Sequence, residues 1–121
     1  MKTVHVVVPD GIDDPTRPSG GNTYDRRACQ GLAELGWAVR EHPVPGTWPR
    51  AGRSAHVALA RTVEAIPDDA VVLLDGLIAS AAPAVLVPQA RRLRQVVLLH
   101  MPYGDAAEGE VLMGAAAVVT T

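Results

Sequence analysis

The chain has 121 residues, enough for one domain with a real core but with little room for a deep cleft. Its formal net charge of −2 gives no electrostatic footprint for nucleic acid. With 48% hydrophobic residues, no phenylalanine and one cysteine, the composition describes a globular protein cored by Val, Leu, Ile and Ala, and it excludes an internal disulfide and a multi-cysteine metal site.

The first pattern, residues 2–8, reads as a buried strand stopped by Pro9, and the Asp, Gly and Pro residues that follow read as a loop as far as Pro18. Residues 23–35 form the first helical pattern, with Tyr24, Ala28, Leu32 and Leu35 on one face and Gly36 as its C-terminal stop. Cys29 falls inside it, where a small buried hydrophobe is expected rather than a reactive thiol. A second strand, 37–42, stops at Pro43. An irregular Pro- and Gly-rich segment, 43–53, carries Trp48, which either forms a lid or folds back onto the domain; the second is expected. Residues 54–66 read as a helix capped by Ser54, with Val57, Leu59, Ala60 and Val63 on its apolar side.

The third strand, 70–74, ends in Asp75-Gly76. A short helical piece at 77–81 precedes a helix at 83–92. The fourth strand, 95–99, ends in His100, and a short helix at 105–113 closed by Gly114 leads into a fifth strand at 115–120. Strands alternating with helices predict a three-layer, Rossmann-like α/β domain: a parallel sheet of about five or more strands with helices on both faces. Ligands of such sheets bind beyond the carboxyl ends of the strands, at the topological switch point.

Three groups of residues converge on that edge. Ser19-Gly20-Gly21-Asn22 joins the first strand to the first helix. Glycines there let backbone N–H groups approach an anion, although a tight turn capped by Asn22 would use the same residues. Neither G-x-G-x-x-G nor a Walker A loop is present, which disfavours NAD and ATP sites of the familiar kinds. Asp75 follows an apolar run, so its carboxylate must emerge at the strand's end, as a base or hydroxyl ligand or as a cap for the next turn. His100 repeats the arrangement with an imidazole, suited to exchanging hydrogen bonds with a hydroxyl. His5, His42 and His56 are weaker candidates, since no two stand at ligand spacing and no metal is indicated. Ser19, Ser54 and Ser80 lack a nucleophile elbow. Asp13-Asp14, Glu108 and Glu110 read as solvated charges, and no carboxylate pair suited to glycoside chemistry is evident.

Pro18-Ser19-Gly20-Gly21-Asn22-Thr23-Tyr24, Leu73-Leu74-Asp75-Gly76-Leu77 and Leu98-Leu99-His100-Met101-Pro102, in that order on successive strand ends, resemble the N-terminal half of family-4, GT-B-type retaining glycosyltransferases. The resemblance spans essentially the whole chain. It implies an N-terminal, acceptor-side domain of an enzyme that moves a hexosyl unit from a nucleoside-diphosphate sugar to a hydroxyl of a small-molecule or lipid-linked acceptor. On that basis His100 and Asp75 are candidate catalytic residues, with His100 toward the donor sugar. Ser19, Gly20, Gly21, Asn22, Gly76 and Tyr103 are candidate substrate-binding residues, with Gly20 and Gly21 toward the donor phosphates. No cofactor is implied beyond the donor itself. The nucleotide-sugar-binding C-terminal domain of that family has no counterpart in these residues, so the fragment is expected to be inactive alone, and apolar surface that the second domain would cover could pair two copies. The opening strand and the lack of any apolar run near about 18 residues predict a cytoplasmic protein, peripheral at the inner membrane face at most. The alternative from another class is a non-catalytic Rossmann-like module that binds an anion or a partner through the same loop. A further alternative is another enzyme of GT-B build, such as an epimerase.

Overall fold

Runs such as Val6-Val7-Val8 and Val72-Leu73-Leu74 carry apolar side chains on both faces of the backbone, which suits strands buried between two helical layers. The computed structural model describes residues 2–11, 20–99 and 104–120, with the backbone alone at 20–22. Strands β1 (Thr3–Pro9), β2 (Ala38–Val44), β3 (Val71–Asp75), β4 (Arg94–Leu99) and β5 (Ala117–Thr120) alternate with helices α1 (Gly20–Glu34), α2 (Arg53–Glu64), α3 (Gly76–Ala81), α4 (Pro83–Leu86) and α5 (Ala106–Gly114). All pairings are parallel, in the order β2-β1-β3-β4-β5. This is the three-layer α/β architecture expected.

The two faces are covered unequally. Val4, Val6, Val8, Leu73 and Leu98 face α1, packing with Cys29, Tyr24, Ala28 and Leu32. Val7, Val72, Leu74 and Val97 face the other way, against Leu59 and Val63 of α2, Ile78 of α3, Leu86 of α4 and Val111 of α5. Cys29 is 3% exposed and acts as a small core hydrophobe. Trp48 folds back into the second cluster, with its ring edge-on to His56. Among the described residues no helix is long and apolar enough to cross a membrane.

Several local expectations are corrected. Helix α1 begins at Gly20, not at Thr23, so the glycine pair forms its first turn rather than a loop before it. Glycine costs least there, since the first four N–H groups have no intrahelical partner in any case. Leu35 lies past the end of α1 and is 78% exposed. Strand β2 continues through Pro43 to Val44, because it is an edge strand and a missing N–H can face solvent. Helix α2 starts after Gly52 with no side-chain cap, so Ser54 is not its N-cap; it buries Ala55, Leu59 and Val63 but leaves Val57 43% exposed. The helix expected over 83–92 breaks into α4 and a 3-10 helix, Val87–Arg91, because Pro88 has no N–H to donate. Strand β5 begins two residues late, at Ala117.

Candidate functional site

The strand order reverses between β1 and β3, whose chains leave toward opposite sides of the sheet. Helices α1 and α3 both start at the carboxyl edge beside this crevice, which is where an open α/β sheet takes a ligand. Asp75 closes β3 and is 2% exposed. Its Oδ1 accepts hydrogen bonds from the backbone N–H groups of Leu77, at 2.8 Å, and Ile78, at 3.4 Å. The capping role expected of Asp75 is therefore present: its carboxylate satisfies two donors of α3 and sits at the positive end of that helix. Gly76 follows for a steric reason. A Cβ there would stand 2.5 Å from the Leu98 carbonyl oxygen, so only glycine lets the start of α3 pass this close to β4.

A second carboxyl group meets the first. Asp25 of α1 is fully buried, and its side chain is hydrogen-bonded to that of Asp75. Burial, then the hydrogen bond to Asp75 and the charge beside it, push the Asp25 carboxyl up to about 9. Asp25 thus holds a proton at neutral pH and ties the first turns of α1 to the end of β3. The pair is a buried contact between two elements that the sequence analysis does not foresee. The sequence holds one signal for it: Asp25 stands four residues before buried Cys29 and seven before Leu32, on the stripe that faces the sheet.

Of the other expected site residues, Gly20, Gly21 and Asn22 are the first three residues of α1, which rules out Asn22 as its N-cap. Ser19, His100 and Tyr103 lie outside the described residues. Glu108, read from the sequence as solvated, is 4% exposed. It accepts a hydrogen bond from Ser80 Oγ at 2.9 Å and another from the Gly104 N–H at 3.0 Å, linking α3, α5 and the segment before α5. Asp105 caps α5 through the Glu108 N–H. A recess of about 300 Å³ lies between the loop after β2 and the facing ends of α3 and α5, with Arg50, Ser80 and Asp105 in its walls.

His56 is half-buried, with its ring nitrogens 3.2 Å from the Gly52 carbonyl oxygen and 3.3 Å from that of Ala81. His5 and His42, 37 residues apart, meet across the β1–β2 pairing, with Nδ1 of the first 2.9 Å from Nε2 of the second. Their rings are nearly parallel, with centroids 5.2 Å apart. Among the described residues no group of three His, Cys, Asp or Glu side chains is arranged to hold a metal ion.

Fold and site together define a doubly wound parallel α/β domain with a buried pair of carboxyl groups at its switch point. No family model matches the chain, and no curated protein and no solved structure is significantly similar to it.

Proposed function

We propose that this chain is the acceptor-side domain of a GT-B-type, retaining glycosyltransferase that works with a second, nucleotide-sugar-binding domain in the cytoplasm. The observation that supports this most is the crevice between β1 and β3, where the helix opened by Gly20-Gly21 is tied through Asp25 to the Asp75-Gly76 turn. In this reading the backbone N–H groups of the glycine turn face the donor diphosphate, where helix N-termini favour negative charge. His100, which follows β4 in the sequence, contacts the donor sugar. The recess beside Arg50, Ser80 and Asp105 gives room to the acceptor. The capping bonds engage Asp75 Oδ1, so Asp75 orients the crevice rather than attacking the sugar. Stabilising a departing nucleoside diphosphate needs preorganised positive groups on both sides of it, which the second domain supplies.

The test is release of UDP or GDP from their sugar conjugates by a protein carrying this chain together with its second domain. His100→Ala and Gly21→Val should each lower turnover by about a hundredfold or more, the scale of one lost transition-state contact. Titrated alone with the same nucleotides, the 121-residue chain should bind in the millimolar range or not at all. Micromolar binding that Gly21→Val abolishes would overturn the reading in favour of a self-sufficient anion-binding module.

A further inference from the structure

The His5–His42 pair lines a cleft of about 640 Å³ whose other lining residues include Thr3 at the start of β1 and the turn before β3. Its polar walls are Thr3 and His5 of β1, Arg40 and His42 of β2, and Asp68 and Asp69 of the turn before β3. His5 is 8% exposed, an unusual position for an imidazole, and among the described residues its ring is bonded to His42. Arg40 stands close enough to disfavour charge on both histidines. Among the described residues Arg40 takes part in no ion pair, whereas Asp68 is engaged by Arg92 at 3.1 Å. Asp69 is the remaining carboxylate, exposed on the turn.

The proton count of the pair decides what it can bind. When both rings are neutral, one nitrogen of the facing pair carries the proton of their hydrogen bond. The outer nitrogens, His5 Nε2 and His42 Nδ1, are then one donor and one acceptor. One added proton turns both outer nitrogens into donors while the shared bond survives. Beside the Arg40 guanidinium this makes a cluster of N–H donors with about two positive charges, stable only with an anion to neutralise it.

We propose that this cleft binds a small oxyanion, such as the phosphoryl group of a metabolite, between Arg40 and the His5–His42 pair, and takes up one proton as it does so. Burial holds both histidines below the ordinary imidazole range, reinforced by Arg40 at His5 and by His5 and then Arg40 at His42. The anion reverses the effect of Arg40, so anion and proton bind cooperatively. Asp68 and Asp69 set the selectivity: with one carboxylate engaged by Arg92 and the other at the turn, a long polyanion is repelled and a compact one fits. The site stands apart from the crevice at the carboxyl edge and does not rest on the glycosyltransferase reading.

The experiment is calorimetric titration of the 121-residue chain with sodium sulfate at pH 5.5, 6.5 and 7.5, at constant ionic strength and in buffers of different ionisation enthalpy. Sulfate does not titrate in this range, so any proton taken up goes to the protein. Affinity should tighten by about tenfold per pH unit on acidification from pH 7.5, with about one proton bound per sulfate. Arg40→Gln, an exposed position, should weaken binding at least about tenfold at every pH, the scale of one charge-assisted hydrogen bond. Replacing both rings, His5→Gln together with His42→Gln, should abolish the pH dependence, and circular dichroism should show this variant and Arg40→Gln folded. Sulfate affinity that does not change with pH, or that Arg40→Gln leaves intact, would overturn the proposal.

Discussion

Asp25 of α1 is hydrogen-bonded to Asp75 at the end of β3, and neither residue exposes more than 2% of its surface. Two carboxyl groups can share so dry a space only if a proton is kept between them, and burial, with the hydrogen bond to Asp75 and its charge, pushes the Asp25 carboxyl up to about 9. The native state therefore binds a proton that the unfolded chain releases above 3.8, and the contribution falls as pH rises from there to about 9, beyond which it is constant. The slope from this one group reaches about 1.4 kcal/mol per pH unit. Asp25→Asn keeps a donor for Asp75 without the ionisable proton. Urea midpoints at pH 5, 7 and 9 should fall less steeply in Asp25→Asn than in the wild type. Parallel pH profiles would show that Asp25 does not hold the proton.

The His5–His42 pair acts in the opposite direction. Both imidazoles are held below 6.5, first by burial, so the unfolded chain binds protons that the native state refuses. Their contribution is complete above pH 6.5 and is lost as pH falls below it through the lowered native values. His42→Gln should flatten the acid limb of thermal stability between pH 6.5 and 5, as measured by circular dichroism. An unchanged acid limb would mean that other groups control it.

Gly76 and Gly31 should respond to alanine with opposite signs. At Gly76 the new methyl would meet the Leu98 carbonyl oxygen at 2.5 Å and Leu99 Cα at 3.3 Å, both backbone atoms that cannot swing away. Overpacking of this kind costs about 1–3 kcal/mol. Gly31 lies inside α1, and nothing stands within 4 Å of the place an alanine methyl would take. Alanine there should stabilise by about 0.5–1 kcal/mol. Denaturant unfolding of the two variants checks both signs at once.

Arg92 closes the far end of α2. Its guanidinium donates to the carbonyl oxygens of Ile66, at 2.6 Å, and Val63, at 2.9 Å, and pairs with Asp68 at 3.1 Å. The carbonyl bonds satisfy the end of a helix, whereas the Asp68 side chain is 76% exposed. Arg92→Ala should therefore cost about 1.5–3 kcal/mol, the range for hydrogen bonds to a charged group. Asp68→Ala should cost less than about 0.5 kcal/mol. Equal losses in chemical denaturation would place the stability in the ion pair instead.

How far the site can be read from the sequence depends on how local each signal is. Asp75 and Gly76 are legible because an apolar run must end before a carboxylate, and both residues act on their immediate neighbours. The start of α1 is not, because a glycine pair suits a loop and a first helical turn alike. Glu108 reads as solvated because its acceptor role depends on Ser80, 28 residues earlier.

The sequence by itself determined the alternation of strand and helix, the aliphatic core, and the arrival of Asp75-Gly76 at a strand's carboxyl end. Period and punctuation act over a few residues, and such patterns report them directly. Tertiary structure decided the order β2-β1-β3-β4-β5, the burial of Asp25 against Asp75, and the contact of His5 with His42. Each of these depends on which strands become neighbours and in what register. A slip of one residue would send His42 to the opposite face of the sheet. Register is set by the summed packing of both layers, and no short stretch of the chain contains that sum.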